Sequence, residues 1–157
     1  MKKIIIFLIL ILGITFSGFT QTTASIIIRG TVPANISLTI IEEQVEFDLT
    51  QNVNNILVAT VNERSNVRNG YTVSLNSAND FKFVGGAGDD ELSYLLRYNG
   101  VELDLSINDL IITDENDRTG QGNNGIDKNL EISFSGEDYN FYEGLYEDTL
   151  TFTITAK

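Results

Sequence analysis

Residues 148–157 read DTLTFTITAK, with Leu150, Phe152, Ile154 and Ala156 on one parity and Thr149, Thr151, Thr153 and Thr155 on the other. Successive side chains of a β-strand point to opposite faces, so this run predicts a half-buried strand, apolar on the core side and wet on the threonine side. The same period recurs along the chain. Candidate strands are SIIIRGTV (25–32), ISLTII (36–41), VEFDL (45–49), ILVATVNE (56–63), YTVSLNS (71–77), FKFVG (81–85), LSYLLRY (92–98), VELDLSI (101–107), DLIIT (109–113) and LEISFS (130–135). None has the length or the spacing of an amphipathic helix. Short strands divided by turn signals over one domain-sized chain predict an all-β sandwich or barrel.

The sharpest local expectation is a hairpin at LRYNGVEL, residues 96–103. Asn99 and Gly100 suit a two-residue turn whose central positions need positive φ, and the flanks alternate through Tyr94, Leu96 and Tyr98 and then Val101, Leu103 and Leu105. Residues 113–129, TDENDRTGQGNNGIDKN, break the rhythm. Ile126 is their only large apolar residue, and the stretch predicts a mobile surface loop.

The N-terminus carries Lys2 and Lys3 ahead of an apolar run from Ile4 to Ile14, then small polar residues. This is the pattern of a secretory signal peptide, too short for a comfortable membrane span of roughly 20 apolar residues. Cleavage is expected after Ala24 or Thr20, leaving residues 25–157 as one exported domain with no membrane insertion. Without Lys2 and Lys3 the chain keeps 8 basic residues against 22 acidic ones, a net charge of −14. Nucleic acid is a poor ligand for such a chain, because binding it depends on basic residues displacing counterions from phosphates.

Neither cysteine nor histidine occurs. That removes Ser-His-Asp and Cys-His catalysis, the usual zinc sites and any disulfide staple. The chain is read as no enzyme, with no cofactor and no metal assigned. Asp114, Asn116, Asp117 and Asp127 offer oxygen ligands, but Arg118 stands where a calcium loop needs an oxygen, Thr119 replaces its turn glycine and the closing glutamate is missing. Asp89, Asp90 and Glu91, behind GGAG, are read as a turn entering a strand, and GGAG is no phosphate loop, since no Gly-Lys-Ser/Thr follows. Tyr139, Phe141, Tyr142 and Tyr146 could form an aromatic platform for a sugar or a protein; packing is the plainer reading.

Three pieces taken together, SIIIRGTVPANISLTI near the start, GYTVSLNSAN (70–79) and GLYEDTLTFTITAK (144–157), resemble the spore coat protein U-like family, the pilin subunits of archaic chaperone/usher systems. The resemblance covers about a third of the chain. It implies an immunoglobulin-like Greek-key sandwich lacking one strand, which a periplasmic chaperone and then the N-terminal strand of another copy or related subunit would complete at an usher, building a fimbrial fibre. By β-strand addition, Ile26, Ile28, Gly30 and Val32 would be the donor residues, with Leu150, Phe152 and Ile154 on the acceptor edge. The family commonly carries a cysteine after its first strand, whereas Asn35 and Ile36 follow V-P-A here. Two expectations therefore stand side by side: a strand-donating exported subunit, and a self-complete secreted sandwich that binds a glycan, a surface or calcium.

Overall fold

A computed structural model of the protein describes residues 21–85, 90–120, 124–136 and 141–157. The apolar run of the predicted signal peptide and Tyr139 lie outside the described residues. The chain divides into two compact units, Met1–Val32 and Pro33–Lys157. In the first, residues 21–32 join no ladder, and Ile26, Ile28 and Val32 are exposed. The strand expected at residues 25–32 is thus corrected to an unpaired segment. Alternation gives a segment the means to lie in a sheet, but a strand exists only where a neighbour accepts its backbone hydrogen bonds.

The second unit is all-β among the described residues. Its strands are β1 (Ile36–Glu42), β2 (Val53–Ser65), β3 (Tyr71–Ser77), β4 (Lys82–Gly85), β5 (Glu91–Ser93), β6 (Leu95–Tyr98), β7 (Val101–Glu102), β8 (Leu110–Glu115), β9 (Ile126–Phe134), β10 (Tyr146–Glu147) and β11 (Leu150–Ala156). They form a five-stranded sheet in the order β1-β2-β9-β6-β7 and two three-stranded sheets, β10-β4-β5 and β11-β3-β8. All pairings are antiparallel.

The predicted hairpin is present: Asn99 and Gly100 take φ of 49° and 79° between β6 and β7. Three other expectations change. VEFDL forms no strand, because Asp48 turns the chain by accepting from the Thr50 N–H (3.0 Å) and hydroxyl (2.7 Å). VELDLSI is strand only at Val101 and Glu102, with the Leu103 N–H still donating to the Leu96 carbonyl at 2.9 Å, before Asp104 accepts from the Ser106 N–H at 3.1 Å and starts a turn. LSYLLRY is two strands, with β5 joined to β4 and β6 to β9, so the chain changes sheet at Tyr94.

Residues 113–129 are also corrected. β8 and β9 reach into both ends of the stretch, and Thr113, Thr119 and Lys128 are buried. Thr119 exchanges hydrogen bonds with the Ser65 backbone, its N–H donating to the carbonyl and its hydroxyl accepting from the Ser65 N–H, both at 3.0 Å. A polar stretch reads as loop from composition alone, yet here its hydroxyls and its lysine satisfy buried backbone and side-chain groups.

The core follows from the alternation. Val61, Tyr71, Val73, Leu75 and Leu96 are fully buried, and Phe134 meets Phe47 and Phe83 edge-on at 5.7 and 5.6 Å. Apolar parity on facing sheets is what makes an all-β chain collapse, at roughly 25 cal/mol for each Å² of apolar surface buried.

Candidate strand-accepting groove

Two strands lie at sheet edges with their inward faces unfinished. On β11, Leu150, Phe152 and Ile154 sit opposite Ser77, Leu75 and Val73 of β3, all of which are buried, so these three point to the core side. They are nevertheless only half-buried. On β1, Leu38 and Ile40 sit opposite the buried Glu63 and Val61 of β2, yet Ile40 remains 41 % exposed. Among the described residues each of these strands has a hydrogen-bonded neighbour on one side only, β3 for β11 and β2 for β1.

Residues of both edges line one groove of about 370 Å³. Ile40 of β1, Val45 and Phe47, and Leu150 and Phe152 of β11 line it, together with core residues such as Leu96 and Ile132. A second hollow, of about 870 Å³, shares Val45, Phe47, Phe83, Asp148 and Thr149 with the first and continues toward Phe141 and Tyr142. Core side chains thus line open space beside two strands that, among the described residues, end their sheets. Soluble proteins ordinarily cover or blunt such an edge.

The entry to β11 is held firmly. Asp148 accepts from the Ser77 hydroxyl (2.6 Å), the Asn79 N–H (3.0 Å) and the Tyr94 hydroxyl. Burial, and then the Asp148 carboxylate, push the Tyr94 hydroxyl's pKa well up. At the far end the Lys157 ammonium pairs with Asp114 and donates to Asn116 at 3.0 Å.

Of the residues singled out from sequence, Leu150, Phe152 and Ile154 share the inward face of the edge strand, and Leu150 and Phe152 line the groove. Ile26, Ile28, Gly30 and Val32 belong to the other unit and are unpaired. Phe141 packs edge-on against Tyr146 at 5.3 Å and touches the core, while Tyr142 is 75 % exposed, so packing accounts for Phe141 and Tyr146 but not for the Tyr142 ring. The loop acids are separately engaged: Asp114 with Lys157, Asp117 with the Arg118 N–H (2.7 Å) and Asp127 with the Asn62 amide (2.6 Å). Among the described residues no three acidic side chains converge as metal ligands.

Sequence reading missed two features. One is the part of the groove lined by β1, whose alternation was visible but whose position at an edge was not. The other is a buried ionic cluster. Glu63 on β2 is fully buried; it pairs with the Lys128 ammonium on β9 at 2.9 Å and accepts from Tyr71 (3.0 Å), Tyr98 (2.6 Å) and Thr113 (2.8 Å). Strands of two sheets meet on this one carboxylate. Burial, then Glu63, raise the pKa of both tyrosines.

No protein-family model matches the chain, and no curated protein matches it.

Proposed function

We propose that this protein is an exported fibre subunit whose sandwich, of immunoglobulin-like Greek-key type, is completed by a strand from another chain. The observation that carries the reading is the groove lined by β1 and β11, where inward-facing Ile40, Leu150 and Phe152 are incompletely covered at the two sheet edges. A segment of matching character exists in the same chain. Residues 25–32 alternate Ile26, Ile28, Gly30 and Val32 against Ile27, Arg29 and Thr31, and join no ladder. Inserted along β11, such a strand would satisfy the open backbone groups and bury both its own apolar face and that of β11. Gly30 would sit where a side chain could not. A chaperone and an usher, as the resemblance implies, would shield the groove before assembly.

The test is a domain of residues 33–157 titrated with a synthetic peptide of residues 25–32. The subunit reading expects an aggregation-prone domain that the peptide converts into a monomer of higher melting temperature. A peptide at about 100 times its Kd stabilises by about 2.7 kcal/mol. A monomeric domain that melts cooperatively and ignores the peptide would hand the chain to the alternative, a self-complete binding module.

A further inference from the structure

We propose that Lys128 and Glu63 condense into an intramolecular isopeptide bond that staples β2 to β9. In the β2–β9 ladder Val61 lies opposite Lys128 and Glu63 opposite Ile126, so the two side chains are diagonal neighbours on the inward face. The Lys128 ammonium is 2.9 Å from Glu63 Oε2; Glu63 is fully buried and Lys128 is 9 % exposed. A buried ion pair carries a desolvation penalty on the order of what its attraction returns. An amide carries no such charge.

The remaining contacts are those an acyl transfer needs. Tyr98 and Thr113 donate to Glu63 Oε1 at 2.6 and 2.8 Å, where the oxyanion of a tetrahedral intermediate would sit, and Tyr71 donates to Oε2 at 3.0 Å. The Thr113 hydroxyl also accepts from Lys128 Nζ at 2.9 Å and orients the amine. A proton passes from Nζ to Oε2, giving a neutral amine and a carboxylic acid. The amine lone pair attacks Cδ to form the N–C bond. Oε2 then leaves as water, taking the second proton from nitrogen by way of the Tyr71 hydroxyl, which regains its own. Ammonium plus carboxylate becomes amide plus water, and no outside reactant is required. Fixed neighbours of this kind react with effective molarities on the order of 10⁵ M or more, and burial keeps water from reversing the bond. The staple supplies, in a chain without cysteine, the cross-link that a disulfide would otherwise give.

The experiment is the intact mass of the folded, soluble chain, measured under denaturing conditions after its near-ultraviolet circular dichroism shows packed tyrosines. The expected result is a mass lower than the sequence by one water, with a branched peptide after proteolysis that joins the segment holding Glu63 to the one holding Lys128. Lys128→Arg should restore the full mass. Should that variant fail to fold, the branched peptide of the unaltered chain decides. A folded chain at full sequence mass, or a deficit that maps to other residues, overturns the proposal.

Discussion

Tyr94, at the point where the chain passes from β5 to β6, donates its hydroxyl to Asp148, two residues before the edge strand β11 begins. The crossing between sheets is thereby bolted to the strand that borders the groove. Asp148→Ala strips the acceptor from Tyr94, Ser77 and the Asn79 N–H together. Leaving such donors without a partner should cost about 2–3 kcal/mol, read from urea unfolding of the peptide-completed domain. A loss below about 0.5 kcal/mol would show that water replaces the carboxylate freely.

Alkali should unfold the domain early. Tyr71, Tyr94 and Tyr98 all have folded-state pKa values raised, chiefly by burial, a cause that holds whether Glu63 is a carboxylate or an amide. An unfolded tyrosine titrates near about 10, so above that pH the unfolded chain loses protons that the folded chain keeps, and stability falls as pH rises. Below about pH 10 the three contribute no slope. Tyr98→Phe should flatten the decline in thermal melts between pH 10 and 12, and a decline of unchanged steepness would remove Tyr98 from the account.

Two glycines with similar backbones should respond unequally to alanine. Gly70 and Gly100 have φ of 88° and 79°. A Cβ at Gly70 would lie 1.9 Å from the Glu115 carbonyl oxygen on β8, while one at Gly100 meets nothing within 4 Å. Gly100→Ala should cost about 1–2 kcal/mol, the left-handed strain alone. Gly70→Ala adds a backbone collision and should cost at least about 3 kcal/mol, the upper end of the ordinary range for point mutants or beyond it. Equal costs from the two melts would mean that β8 yields to make room.

Gly30 separates assembly from folding. Gly30→Leu in the full chain should leave its melt unchanged, because residues 25–32 join no ladder. Peptide rescue and polymer formation should both fall at least tenfold. Electron microscopy showing fibres of normal abundance from that variant would place the glycine outside the groove.

Much of the fold was legible because the signal was local. The strand YTVSLNS coincides with β3, the Asn99–Gly100 turn takes its positive φ, and the apolar parity of residues 150–156 is the core-side parity of β11. In each case the side-chain period or a turn residue's own conformational freedom was enough. The misses were relational. Nothing in LSYLLRY announces that its two halves serve different sheets, and nothing in TDENDRTGQGNNGIDKN announces that Thr119 will satisfy Ser65 or that Lys128 will lie beside Glu63.

By itself, then, the sequence determined which residues can be strands and which face of each is apolar, since alternation and turn chemistry act over a few bonds. Tertiary structure decided which strands became edges, leaving Ile40 and Phe152 along an open groove, and which charges met inside. Those outcomes depend on backbone hydrogen bonds and ion pairs between residues tens of positions apart, and no local pattern records them.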